Sequence, residues 1–269
     1  MRRVFLISLA ALLVGFALVP IAILFLASGL PDFTVRPTGI SLEAASHWRG
    51  PRLSLLLERE NAPLWRSLLR TGFVAFTASL VASTLAVISA YAMTRRRSWA
   101  TRHGVQFLSL AAYGLPSVFL MLAIHPLLVR LSLGPDVRVW LLHLLYILPM
   151  SSILAMGYAA SHPMLLDRSA AIDGAGWSGR LIFAYRANLW RGHLAVMSIG
   201  CLVSWGDLVF SQQILSVKHK LLADLYDLRY FDNDSTTPDY ASAAIFSLVL
   251  TAMAVVLAWI IAATNRRGV

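Results

Sequence analysis

The chain has 269 residues, of which 58% are apolar and 13% charged, far below the roughly 25% charged residues of ordinary soluble domains, and this excludes a soluble globule. Its net charge of +10 does not point to nucleic acid, because the arginines stand in short clusters beside long apolar runs, where anionic lipid headgroups attract them. The single cysteine, Cys201, lies in an apolar run and reads as a small buried hydrophobe, with no disulfide framework and no zinc-type spacing in the sequence.

Met1-Arg2-Arg3 precedes an apolar run from Val4 to Leu30 that is too long for the core of a signal peptide. It predicts an uncleaved first anchor, and no lipidation signal takes its place. Windows of about 20 uncharged residues predict six spans, over 4–29, 68–93, 105–129, 139–160, 194–215 and 240–264. Each must be a helix, because lipid offers no other partner for backbone N–H groups. The predicted fold is therefore an all-α, polytopic transmembrane bundle, with 1–66 as anchor helix and outer loop and 67–265 as the core domain. Pro20, Pro116, Pro126 and Pro149 fall inside spans and predict kinks, not helix ends. In the second span Ala75, Ala78, Ser79, Ala82, Ser83, Ala86, Ser89 and Ala90 predict close helix packing. No internal repeat and no low-complexity tract interrupts the chain.

With both termini in the cytoplasm, the inside segments hold Arg2, Arg3, Arg95, Arg96, Arg97, Arg102, Arg168, Arg180, Arg186, Arg191, Arg266 and Arg267, about half of the 23 Lys and Arg. The positive-inside rule favours this orientation because these positives crowd short segments, whereas the others spread through longer outside loops near 30–66 and 216–239. The run Arg95-Arg96-Arg97 reads as a topology anchor. Segment 130–138 predicts a tight outer turn. Segment 161–193 is too long for a simple connection and predicts a binding element on the inner side.

Within it, Pro163 can open a helical turn, Asp167 near its start suits the helix dipole, and Gly174 and Gly176 can end it in left-handed backbone conformations. A second short helix follows, with Leu181, Ile182 and Tyr185 at helical spacing and Arg180 and Arg186 able to reach headgroups or a partner protein. The bland alternative is an amphipathic hairpin lying on the membrane.

This loop resembles that of the membrane subunits of binding-protein-dependent ABC importers, which carries a Glu-Ala-Ala, three residues, then Gly signature. Aligning the family glycine on Gly174 matches Pro163, Leu166, Ala170, Ile172, Asp173, Gly174 and Ala175 without a gap, and the same register sets Ser204-Trp205-Gly206-Asp207 on the Ser-Trp-Asn-Asp of sugar permeases. Departures are Arg168 for the family glutamate, Ser169 for the first alanine, and Arg186-Ala187 for a Leu-Pro. Asp167 is the nearest acid to stand in for the glutamate. The resemblance covers about 65–265, and its tail from Leu222 to Ala244 looks more like the thiamine, ferric-iron and polyamine branch. It implies a bacterial inner-membrane importer subunit whose short coupling helices dock into a groove on an ATPase subunit. The implied coupling residues are Asp167, Arg168, Ser169, Ala170, Ala171, Asp173, Gly174, Ala175 and Gly176, with Gly174 as pivot. Implied partners are an ATP-binding subunit dimer, a second permease subunit, identical or homologous, and a periplasmic substrate-binding protein.

No Gly-x-x-x-x-Gly-Lys-Ser/Thr sequence occurs, so the motor, with its ATP and Mg, belongs to another polypeptide. No cofactor, metal site or catalytic residue is expected in this chain. Asp207 is the acidic residue well inside a predicted span, where a charge costs about 2.5–3.5 kcal/mol. It reads either as lining the translocation path with Trp205 or as pairing with a neighbouring helix. His125, His143, Tyr113, Trp140, Tyr146 and Trp259 read first as interface or packing residues. Two rival functions are weaker. Gly176-Trp177-Ser178-Gly179 spells an intramembrane serine protease motif, but it sits in a polar loop and the last span holds no histidine. An ATP-independent carrier or channel lacks an inverted repeat here.

Overall fold

A computed structural model describes residues 62–95, 99–207, 209–215 and 221–222, with isolated helical residues at 22, 25, 247–248, 251–252, 255–256 and 259. The first and last predicted spans thus lie outside the continuously described stretches. The chain divides into two compact units, Met1–Arg66 with Leu225–Val256, and Ser67–Asp224 with Leu257–Val269. The elements that follow belong to the second unit from Ser67 onward, and among the described residues these are helical, with no strand.

Helix α1 (Ala62–Thr94) contains the predicted second span. At 1.5 Å per residue it runs about 50 Å, more than a bilayer's hydrocarbon core of about 30 Å. Its small residues form a seam at i, i+3, i+4, i+7 spacing: Ala75, Ala78, Ser79, Ala82, Ser83, Ala86 and Ala90 are each at most 1% exposed. Ser89 falls off this seam and is exposed. Leu69, Phe73, Phe76, Leu85 and Ile88 point outward, an apolar surface suited to lipid or a partner helix.

The predicted third span is not one helix. It consists of α2 (Trp99–Tyr113) and α3 (Ser117–Arg130), and His103–Tyr113 and Ser117–Arg130 are bent by 97°. Pro116 is therefore a helix boundary and not a kink. It lacks an N–H, stands at φ −56° and ψ 144°, and disfavours helical backbone at Leu115. Pro126 and Pro149 do sit inside helices. After a turn in which Ser132 takes φ 55°, α4 (Pro135–Ser161) begins with proline at its first turn. Then come α5 (Met164–Ile172), α6 (Trp177–Ala184), a π-helical turn (Tyr185–Leu189), α7 (Trp190–Trp205) and α8 (Val209–Ile214). The predicted fifth span, 194–215, is thus interrupted at Gly206 and Asp207. Where the sequence predicts four spans in this region, two helices among the described residues are long and apolar enough to cross a membrane, Trp65–Thr94 and Pro135–Ser161, or three if the bent pair is one span.

Helix α4 is the centre of the unit, packed by α2, α3, α7 and α8. One core joins Ala86, Ala90 and Tyr91 of α1 to Ala155, Met156 and Ala159 of α4, Ala184 of α6 and Val196 of α7. A second joins Val74, Met121, Leu142 and Phe210 from α1, α3, α4 and α8. Gly200 lies where α1, α4 and α7 converge: a methyl there would come 2.9 Å from Ile147 Cγ2 and 3.1 Å from Ser79 Oγ. A methyl at Gly192 would meet the Tyr158 ring at 2.5 Å. Cys201 is buried as expected, with its thiol 3.6 Å from the Ala75 carbonyl.

Candidate functional site: the α5–α6 hairpin and its ties to the bundle

Helix α5 starts after Pro163, whose ψ of 125° makes it the capping residue, and carries Asp167 in its first turn. It ends in a Schellman arrangement. The Ala175 N–H donates to the Ala170 carbonyl at 2.9 Å and the Gly174 N–H to the Ala171 carbonyl at 3.1 Å, with Gly174 at φ +80°. Only glycine takes that conformation without a steric penalty. Gly176 does not share this role. Its φ of −64° and ψ of 178° are extended, and it caps the start of α6 instead.

The expected coupling residues divide between two faces. Asp167 and Ala170, one helical turn apart, are buried and so unavailable to a partner. Arg168, Ser169, Ala171, Asp173, Gly174 and Gly176 are exposed, and Ala175 is half-buried. Opposite the buried face, Leu165 is 75% exposed and Ile172 86%.

Asp167 is buried because it is tied down. Its carboxylate forms an ion pair with Arg95, at the end of α1. The Tyr91 hydroxyl donates to it at 3.1 Å, and His162 Nε2 lies 3.4 Å from the same Oδ1. Arg95 also donates to the His162 carbonyl at 3.3 Å and stacks its guanidinium 5.1 Å from the Tyr91 ring centre. Tyr91 in turn meets Trp177 of α6 edge-on at 6.4 Å. Thus α1, the end of α4, α5 and α6 share one knot, in which Tyr91, His162 and Asp167 are buried. Sequence reasoning missed Tyr91, Arg95 and His162 as members; the one local hint is that Tyr91 and Arg95 are four apart, on one helical face.

A second tie follows the hairpin. Of its apolar residues, Leu181 packs on the core, whereas Ile182 and Tyr185 are exposed. The Tyr185 hydroxyl pairs with His193 Nδ1 at 2.8 Å, and His193 Nε2 with Thr84 of α1 at 3.3 Å. Arg186 is exposed, and Ser178 lies exposed in the first turn of α6.

Deep in the bundle the two helix breaks meet. Asp207 is buried, and its Oδ2 accepts the Phe210 N–H at 3.2 Å, which caps α8. The Ser117 hydroxyl, at the start of α3, also hydrogen-bonds this carboxylate. His143 is the hydrogen-bonded packing residue that the sequence suggests. It is fully buried, pairs through Nδ1 with Ser204 Oγ at 2.9 Å, and sets Nε2 4.0 Å from Asp207. Trp205 lies beside Gly72, whose added methyl would stand 3.7 Å from its ring. Trp140 donates to Thr77 at 2.9 Å, and His125 pairs with Arg138 at 3.1 Å. An apolar cavity of about 550 Å³ is lined by Phe73, Val74, Thr77, Val137 and Trp140, beside the Arg70–Asp136 ion pair.

No family model matches the chain. It is 25% identical over 193 residues to a putative ABC transporter permease protein, ORF1, of Streptomyces antibioticus, covering 71% of this chain and 84% of that protein. It is 37% identical over 118 residues to the galactooligosaccharides transport system permease protein GanQ of Bacillus subtilis (strain 168), covering 42% of this chain and 40% of that one. The chain is similar to ABC transporter permeases. Its fold is also shared with a chain of a solved ABC transporter. The crystal structure of a bacterial ABC transporter involved in the import of the acidic polysaccharide alginate matches with a TM-score of 0.66 at 18% identity, over 99% of this chain and 96% of that one. Likeness to ABC permeases and apolar helices of spanning length make this a membrane protein.

Proposed function

We propose that the chain is the pore-forming permease subunit of an ATP-driven importer of sugars or short saccharides. The observation that carries this reading is the α5–α6 hairpin: an exposed helix face, ended by a left-handed glycine, on a base locked to α1 through Asp167. A face so built can receive a push from outside and pass it to the bundle as a rigid-body displacement. The motor is a separate ATP-binding subunit dimer, which holds the ATP and Mg. A second permease subunit and a periplasmic binding protein complete the assembly, in the bacterial inner membrane with both termini cytoplasmic. Hydrolysis drives the switch only through unequal binding of the two bundle states.

The saccharide class is supported by two similar proteins, the permease of a galactooligosaccharides transport system and a transporter involved in the import of alginate. The experiment is reconstitution in proteoliposomes with the ATP-binding subunit and a binding protein. ATP hydrolysis and uptake are then followed over neutral and acidic oligosaccharides, polyamines, thiamine and ferric chelates. Stimulation by a saccharide is the expected result. Uptake that proceeds with no ATP-hydrolysing subunit present removes the reading, and stimulation by another class alone removes the saccharide assignment.

A further inference from the structure

The exposed face of α5 has a chemistry of its own. Leu165, Arg168 and Ile172 are spaced i, i+3, i+7, so they share one face, and the two apolar members are 75% and 86% exposed. Between them Arg168 has no hydrogen bond and no ion pair among the described residues. The other charges of the hairpin do not answer it: Asp167 is turned inward onto Arg95, Asp173 is the C-cap residue, and Arg180 is a like charge on α6. An apolar strip with a lone guanidinium at its centre cannot be covered by a purely apolar groove without stranding that charge, which costs heavily when desolvated.

Resting on the function proposed above, we infer that the groove of the ATP-binding subunit that receives α5 presents a carboxylate opposite Arg168, flanked by apolar walls for Leu165 and Ile172. The interface is thus read by charge as well as by shape, and a subunit whose groove is basic at that point is rejected. Arg168 touches none of the described bundle residues by ion pair or hydrogen bond, so its replacement alters docking without undoing the Asp167 knot.

The test uses the full-length chain in its purified complex with the ATP-binding subunit in nanodiscs of anionic lipid. Affinity of the detachable subunit is measured for wild type, R168K, R168A, R168E and L165S at low and high salt. Expected are a loss of about tenfold for R168A and about a hundredfold for R168E, a flatter salt dependence for both, and smaller loss for R168K. An Asp or Glu of the partner's groove changed to Arg then restores binding to R168E. L165S separates the two claims. If it weakens association while R168E does not, the carboxylate is absent but the docking reading stands; if wild type itself binds no ATP-binding subunit, both fall. If R168E leaves association intact but detaches the hairpin from anionic vesicles, the arginine serves the lipid surface and the inference is overturned.

Discussion

Asp167, on the short helix α5, is ion-paired with Arg95 at the end of the long helix α1, and both lie largely out of solvent. The pair links the exposed hairpin to the helix whose small-residue seam packs the bundle.

Removing one partner leaves a buried charge unpaired, at a cost of about 3–5 kcal/mol. Asp167→Asn and Arg95→Met are each expected to lower the thermal stability of the purified protein sharply, and the double variant to lose less than the sum. Additive losses in that cycle would show that the two side chains act independently.

Gly174 has open space around it but a φ of +80°. The penalty for a side chain there is conformational, about 1–2 kcal/mol, and greater for a β-branched residue. Gly174→Asn is expected to keep most ATP-coupled transport and Gly174→Val to abolish it, with membrane insertion normal in both. Equal transport by the two variants would remove the left-handed turn from the mechanism.

At Asp207 the two surviving roles predict different behaviour for Asn and Ala. Asn still accepts the Phe210 N–H and caps α8, whereas Ala does not, a difference of about 1 kcal/mol before the Ser117 and His143 contacts are counted. If the carboxylate is structural, Asp207→Asn keeps transport per folded complex while Asp207→Ala loses yield and stability. If it lines the path, Asp207→Asn folds well and transports poorly. Uptake normalised to folded complex reads the difference.

Gly200 and Gly157 form a matched pair for packing. A methyl at Gly200 presses on Ile147 and Ser79, while one at Gly157 meets nothing within 4 Å. Gly200→Ala is expected to destabilise by about 1–3 kcal/mol through overpacking, and Gly157→Ala to be neutral or to gain up to about 1 kcal/mol in helix propensity. Thermal melts in detergent compare them directly.

Much of this architecture is legible along the chain. Hydropathy, the spacing of Ala75 to Ala90, and the glycine at 174 are local properties, set by transfer free energy, helical period and backbone sterics, and each reappears in the structure. The break at Pro116 escapes a hydropathy reading because hydropathy sums composition over a window and is blind to direction, so a chain turning through 97° scores as a straight span. The ion pair of Arg95 is equally invisible along the chain, where it stands as one of three successive arginines. The tertiary structure alone decided that Arg95 meets Asp167, that Ser117 and His143 meet Asp207, and that Asp167 and Ala170 face inward while Arg168 does not. Such pairings join groups far apart in the chain, and no local rule specifies them; they follow from which helix faces close packing brings within hydrogen-bonding distance once water is excluded.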